Sequence, residues 1–420
     1  MTRIDASTTE SANCDLLIVG AGVVGATLAC YLAQERRDLR ITLLDATPTP
    51  GAFNAETFDP RVLALSPGSQ NLFETIGVWQ SLLSERACPY NAMHVWDAEG
   101  TASVTFTSDQ LHLPALGHIV ENSVIVRALH ERLRILGNVK LVLGQRLVEL
   151  RKPPEGSLGA QVIAELENGE TLTARLLIAA DGATSKVREL ADFRTRAWAY
   201  GQAAIVTTVR TEQSHGFTAW QRFQSTGPLA FLPLRASASS VAANNAGEDC
   251  YSSIVWSLVT DEAERVMALG DEQFCRALEA AFEYRLGRVT WADARVCVPL
   301  HQRHATRYWQ PGIVLVGDAA HSLHPLAGQG VNLGLRDARI LAEEILRARQ
   351  RQVSLGDFSI LKRYERRRQG HNLAAMSTME VFKRLFAAED PAIRWVRNAG
   401  MAFVDGQAWL KKRLASLAIE

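Results

Sequence analysis

The sequence predicts an α/β protein in which a parallel-sheet domain receives an inserted, mainly antiparallel sheet and is followed by a helical C-terminal region. Three observations predict it. An apolar run from Leu16 to Val19 is followed by Gly20, Gly22 and Gly25, a helical pattern, and a second apolar run ending at Asp45, the order of a dinucleotide-binding β-α-β unit. Two later apolar runs, residues 174–180 and 312–316, stop at Asp181-Gly182 and Gly317-Asp318, which delivers carboxylates to the carboxyl edge of a sheet. Between about residues 195 and 300 the strand-helix alternation gives way to short strand-like runs.

Within the first unit each glycine has its own task. Gly20 allows a tight turn, Gly22 lets the backbone approach a pyrophosphate, and Gly25 lets the next helix pack on its strand, with phosphates held at that helix's N-terminus. Asp45, 20 residues after Gly25, stands where a carboxylate accepts hydrogen bonds from an adenosine ribose. Residues 16–33 are uncharged and long enough for a membrane span, but glycines at turn spacing and a strand that follows at once do not fit a membrane helix. Residues 1–14 are polar without an apolar signal core, so a cytoplasmic location is expected.

At 420 residues the chain exceeds one ordinary domain. Its six cysteines (Cys14, Cys30, Cys88, Cys250, Cys275 and Cys297) show no C-x-x-C pair or zinc spacing, so reduced core thiols and no metal are expected. The formal net charge of zero hides an asymmetry: residues 347–420 carry 15 Lys and Arg against 7 Asp and Glu. That basic tail is either a solvated helical face or a surface for an anionic membrane or acidic partner, and no nucleic-acid partner is expected.

Further along, Arg61 beside Ser66, Gly68 and Ser69 marks a loop suited to phosphate contacts, leading into an amphipathic helix over 70–83. Residues 94–106 alternate as strands, 121–136 form a helix carrying Arg127 and Arg134, and Asn168-Gly169 turns a hairpin. In the insert, 203–209, 227–234 and 251–258 are strand-like and 237–249 form a polar loop. After Gly317-Asp318 come His321, His324, Pro325, Gly328, Gly330 and Asn332, where a glycine turn opens a helix whose amides can hold a second part of the same ligand. The last 75 residues are helical, with Leu361, Tyr364, Met376, Met379, Phe382, Leu385 and Phe386 as packing residues.

The glycine motif, Asp181-Gly182 and Gly317-Asp318, in this order, resemble the single-component FAD-dependent aromatic hydroxylases. The segments Asp59-Pro-Arg-Val-Leu-Ala-Leu-Ser66, Gly227-Pro-Leu-Ala230, Val255-Trp256 and His324-Pro-Leu-Ala-Gly-Gln-Gly-Val-Asn332 narrow the resemblance to the ubiquinone-biosynthesis hydroxylases, over nearly the whole chain. The resemblance implies a Rossmann-like FAD-binding domain built from residues 1–85, 116–192 and 299–346. A substrate domain would take 86–115 and 193–298, and a helical region 347–420. It further implies that Gly20, Gly22, Gly25 and Asp45 hold the ADP half of FAD. Asp318, after Gly317, would meet the ribityl chain or pyrophosphate, and Pro325, Gly328, Gly330 and Asn332 would run close to the isoalloxazine. Asp181 and Gly182 would serve FAD and NAD(P)H, and Arg61 and Arg127 would touch the flavin.

The implied reaction is hydroxylation of a polyprenylated phenol or quinol by NADH or NADPH and O2, through a flavin C4a-hydroperoxide. An apolar pocket drawing on Trp220, Phe231, Leu232, Pro233 and Leu234 is expected to keep that peroxide dry and receive the prenyl tail. His321 and His324 are expected to shape their loop, and no catalytic base is assigned. A homo-oligomer is expected, and the basic tail, with Lys411, Lys412 and Arg413 beside Trp409, suggests attachment to a membrane surface or a quinone-biosynthesis complex. The alternatives are a non-catalytic FAD-binding scaffold of such a complex and a hydroxylase of another aromatic substrate. A flavin-dependent halogenase is disfavoured by the missing W-x-W-x-I signature.

Overall fold

The computed structural model describes residues 13–51, 54, 56–98, 100, 102–153, 161–236, 248–322, 329–387, 390–407, 409 and 411–413. β1 (Cys14–Val19) is buried at every position, α1 (Val23–Glu35) follows the glycine turn, and β2 (Ile41–Asp45) returns parallel to β1. The long uncharged run is therefore a strand, a turn and a helix, and no helix among the described residues is long and apolar enough to cross a membrane. Next come β3 (Val62–Leu65), α2 (Pro67–Thr75), α3 (Trp79–Glu85), β4 (Cys88–Tyr90), β5 (Ala92–Asp97), β6 (Ser103–Thr107), α4 (Ser108–Leu111), β7 (Gly117–Glu121) and α5 (Asn122–Leu136). The single helix expected over 70–83 is two helices, because Gly77 at φ 76° turns the chain between α2 and α3.

β8 (Val139–Leu143), β9 (Leu147–Arg151), β10 (Val162–Leu166) and β11 (Thr171–Ala179) follow, and Gly169 at φ 84° makes the expected hairpin between β10 and β11. After α6 (Lys186–Leu190) the insert supplies β12 (Thr195–Thr211), β13 (Thr218–Gln224), β14 (Gly227–Leu234), β15 (Tyr251–Val259), α7 (Thr260–Met267), α8 (Asp271–Ala281), β16 (Val289–Ala292) and β17 (Val296–Ala305). The chain ends with β18 (Trp309–Gln310), β19 (Ile313–Leu315), β20 (His321–Ser322), α9 (Gln329–Gln350), α10 (Phe358–Ala387) and α11 (Pro391–Gly406).

The strands make two large sheets. The first runs β18-β19-β11-β1-β2-β8, with β10 and β9 attached to β11, and its neighbours from β19 to β8 are all parallel. The second runs β20-β17-β12-β15-β14-β13-β5-β6 and is antiparallel except where β13 meets β5. A small sheet, β3-β7-β4, is separate from both.

The second sheet has two unlike faces because side chains alternate along each strand. Ala203, Ile205, Leu229, Phe231, Ile254 and Trp256 pack toward α7 and α8, and Phe231 stacks on Phe282 with ring centres 3.7 Å apart. Trp220 packs against this same core. The expected pocket is corrected accordingly: Trp220 and Phe231 face the covering helices, and their strand neighbours Ala230 and Leu232 face the other way.

In the helical tail Leu361, Tyr364, Met376 and Phe386 are buried as the pattern requires, and the side chain of Phe382 lies outside the described residues. Much of the basic excess is matched internally. Arg363 and Arg367 bond Glu344 at 2.8 and 2.9 Å, Arg367 also reaches Glu343 at 2.7 Å, and Lys411 bonds Asp405 at 3.0 Å.

Candidate functional site

Four parallel strands end side by side, and each passes a motif residue to the same edge. Leu44, Val19, Ala179 and Leu315 are aligned across β2, β1, β11 and β19, and the chain runs on from them into Asp45, Gly20, Asp181 and Gly317. This is the carboxyl edge at which open α/β sheets bind ligands. A Cβ on Gly20 would lie 2.3 Å from the Ala180 carbonyl, and one on Gly25 would lie 2.0 Å from the Gly20 carbonyl, so both positions need glycine for close packing. Gly22 is different. Nothing lies within 4 Å of an added Cβ there, which leaves its backbone open to a ligand at the start of α1.

Asp45 fastens this turn. Its Oδ2 accepts from the Ala21 N–H at 2.6 Å and its Oδ1 from the Thr47 N–H at 2.7 Å, while His130 Nε2 donates to the Ala21 carbonyl at 2.8 Å. On the next strand, Asp181 Oδ2 accepts from the Val187 N–H at 3.1 Å, but Oδ1 is buried with no hydrogen-bond partner among the described residues. Burial pushes the Asp181 pKa up, and hydrogen bonds from the Ser185 side chain and the Val187 amide oppose the shift. Gly182, at φ 81°, follows it with open space where a Cβ would sit. Buried Arg188 ties this turn to the next one, donating to the Ala183 carbonyl at 2.7 Å and the Ala319 carbonyl at 2.9 Å.

At the third turn burial pushes the Asp318 carboxyl up, and the charges of His321 and Arg61 oppose the shift. The structure thus brings Arg61 to Asp318 across more than 250 residues of sequence. Asn332 in α9 joins the same corner: its Oδ1 accepts from Ser66 N–H at 3.0 Å and Ser69 Oγ at 2.7 Å, and its Nδ2 donates to the Ala64 carbonyl at 2.8 Å. Arg127 has its guanidinium paired to Glu85 and Glu131. Gly330 has open space around it, whereas Pro325, Gly328 and His324 lie outside the described residues.

The motifs gave no hint of what holds the third turn. Asp337, fully buried in α9, accepts from the Gly317 N–H at 3.0 Å and bonds His321 Nε2 at 2.6 Å through Oδ2. Through Oδ1 it accepts from Arg368 Nε at 2.6 Å and Asn372 Nδ2 at 3.2 Å. Burial acts to raise the Asp337 pKa, but His321 and Arg368 outweigh it and hold the carboxyl down to about 2. Arg368 is itself 1 % exposed and also bonds Asn372 at 2.7 Å. Gly334, one helical turn before Asp337, lets α9 approach: a Cβ there would meet Val24 at 2.8 Å and Gly317 at 3.2 Å. A second buried pair, Arg86 and Glu121 at 3.2 Å, organises the Arg61 loop, because Glu121 accepts from the Asp59 N–H at 2.7 Å and Arg86 donates to the Asn54 and Thr57 carbonyls at 2.6 Å.

These residues fit FAD: an open glycine at a helix N-terminus for the pyrophosphate, and acceptors at Asp45, Asp181 and Asp318 for hydroxyl donors. Gly22→Val fills only open space, so the folded protein is expected to lose FAD on gel filtration where wild type stays yellow. Asp318→Ala removes a buried acceptor, which at about 1–3 kcal/mol per unmet hydrogen bond lowers FAD affinity roughly tenfold in a fluorescence titration. Wild-type FAD occupancy in both variants overturns the site. Asp337→Asn removes the partner of a buried charge and is expected to cost about 3–5 kcal/mol in urea unfolding near neutral pH. Since the folded Asp337 pKa of about 2 lies below the ordinary carboxylate value, its contribution is complete above that ordinary value and lost as pH falls toward 2. The gap between wild type and Asp337→Asn should therefore shrink in acid by on the order of 2 kcal/mol, and a pH-independent gap refutes the assignment.

Comparison with known proteins agrees with this geometry. The FAD binding domain family matches residues 13–378. The 3-demethoxyubiquinol 3-hydroxylase of Escherichia coli (strain K12) is 36% identical over 406 residues, covering 96% of this chain and 98% of its own. The mitochondrial ubiquinone biosynthesis monooxygenase COQ6 of Xenopus tropicalis is 33% identical, covering 98% of this chain and 94% of its own. Among solved structures, p-nitrophenol 4-monooxygenase PnpA from Pseudomonas putida DLL-E4 shares the fold at a TM-score of 0.75 and 18% identity, over 96% of this chain and 98% of that one. With its FAD-binding edge and similarity running almost from end to end, the chain belongs to the FAD-dependent ubiquinone-biosynthesis hydroxylases.

Proposed function

We propose that the chain uses NAD(P)H and O2 to hydroxylate the aromatic ring of a polyprenylated phenol or quinol in ubiquinone biosynthesis. The observation that carries this reading is the convergence of Gly22, Asp181 and Asp318 at one sheet edge stitched directly to the second sheet. β20, four residues beyond Gly317, pairs with β17 through His304 and His321, so the cofactor turn and the insert share a strand pairing. The printed names of the relatives support the substrate class.

When bound, FAD supplies the redox chemistry, taking electrons from NAD(P)H and activating O2. The chain's own work is placement and protection. Gly22 would admit the pyrophosphate, Asp45, which holds the turn, would meet the ribose, Asp181 and Asp318 would accept from cofactor hydroxyls, and Asp337 fixes the Gly317 amide. The face of the second sheet opposite α7 and α8, with Ala230, Val255 and Val206, offers an apolar wall that would exclude water from the reacting ring. An electron-rich phenol ring is itself the nucleophile, so no side chain has to generate one.

The experiment is hydroxylation of a short-tailed demethoxyquinol under isotopically labelled O2, with one oxygen atom expected in the product. NAD(P)H oxidation that yields only hydrogen peroxide with every prenylated phenol offered overturns the reading. Peripheral membrane attachment belongs to the same proposal, with one revision. Lys411 is engaged with Asp405 and the Thr105 carbonyl, whereas Trp409 and Phe403 are 67% and 59% exposed and Lys412 is also exposed. Flotation with anionic vesicles that weakens with salt, and that falls in a Trp409→Ser, Lys412→Glu variant with FAD retained, is expected. Flotation unaffected by the variant removes the tail from the reading.

A further inference from the structure

We propose that the face of the second sheet opposite α7 and α8 guides the substrate's isoprenoid tail to solvent along Val255, Val206 and Val296, leaving beside Val298. This rests on the substrate class proposed above. The strand register places Ala230, Val255, Val206 and Val296 in one row across β14, β15, β12 and β17. The adjoining row is Pro228, Ser257, Ala204 and Val298. Neither row contains a charged side chain, and with strands about 4.8 Å apart each row crosses about 14 Å of sheet.

Which face this is follows from packing. Phe231, Ile254, Trp256 and Ile205, the sequence neighbours of these residues, are committed to the core under α7 and α8. On the opposite side Tyr251 meets Phe58 of the Arg61 loop at 5.3 Å, and Phe223 stacks on Phe386 of α10 at 3.9 Å. The row therefore lies on the face turned toward the cofactor domain, bounded by an aromatic pair at each of two points.

Exposure along that face has a direction. Ser253 and Thr208 are buried, at 0% and 1%, as are Ser257 and Ala204 in the adjoining row, at 1% and 2%; Ala230, Val255 and Val206 are half-buried, and exposure opens at β17, where Val296 and Val298 are 42% and 45% exposed. At the closed end the Ser253 hydroxyl is buried without a hydrogen-bond partner among the described residues, two positions from Val255 on the same face. A buried hydroxyl lacking a partner suits a ring oxygen, and a continuous apolar row suits a branched hydrocarbon. The ring is thereby oriented inward and the tail outward. A track open at its far end accepts tails longer than itself, which a closed pocket does not. A protein partner could reach only Val296 and Val298 and would leave the inner half of the row unexplained.

The test uses the FAD-loaded enzyme in detergent micelles with two quinols of identical ring, one bearing a tail of three isoprene units and one bearing a methyl group. In Val296→Asp, Val298→Asp the KM and Kd for the tailed quinol are expected to rise at least tenfold with little change in kcat, while those for the methyl quinol stay at wild-type values. Val298→Phe, which narrows the mouth of the track without adding charge, should produce the same selectivity. Equal responses of the two quinols, or unchanged binding of the tailed quinol by a variant with wild-type FAD content and circular dichroism, overturns the track. If wild type hydroxylates neither quinol, the substrate reading fails first and the track falls with it.

Discussion

The cofactor edge depends on one buried carboxylate. Asp337 joins the Gly317 amide, the imidazole of His321 and the guanidinium of Arg368, so the third turn, the strand that returns to the insert and the two long C-terminal helices meet at a single side chain. A buried ionised group is tolerated only when its desolvation is offset by well-formed bonds. Here both oxygens are bonded, and Arg368 is further held by Asn372 and the Leu333 carbonyl. The Gly317 turn is thereby held from several directions by the chain's own side chains.

The parts of this site legible in the sequence are those encoded locally. Gly20, Gly22 and Gly25 sit at fixed offsets from a strand, so their unlike tasks could be assigned from spacing, and the structure separates them as two closed positions and one open one. Asp337 and Arg368 carry no such mark. They stand 31 residues apart on different helices, and each alone resembles a solvated helical charge until the helices are packed. Arg127 shows a different limit. The resemblance implied a flavin contact for it, and the structure adds the carboxylates of Glu85 and Glu131 beside its guanidinium. Glu85 comes from another helix, which no periodicity within residues 122–136 reveals.

Strand patterning has a related limit. Residues 227–234 were legible as strand-like, but nothing in the run said which set of side chains the helices α7 and α8 would cover. The larger residues, Phe231 and Trp220, were natural choices for a ligand pocket, yet they contribute more by filling the closed side, where Phe282 stacks on Phe231 and Trp96 packs alongside. The middle of the opposite face, at Ala230, Val255, Val206 and Ala204, carries smaller residues. That is physically sensible, because a bulky hydrocarbon needs volume and the sheet supplies it by withholding side chains.

The basic tail teaches the same lesson for charge. An excess of cations in sequence becomes an electrostatic surface only if the fold leaves those cations without carboxylates, and Arg363, Arg367, Arg368 and Lys411 all have them. Among the described residues near the C-terminus, Phe403 and Trp409 are exposed beside Lys412 and Arg413, so an interfacial contact there would draw on both buried aromatic area and charge. Such a contact would be less sensitive to salt than a polybasic one, since burial of apolar surface is not screened while attraction between exposed charges is. The steepness of the salt dependence thus measures how the two contributions divide on this tail.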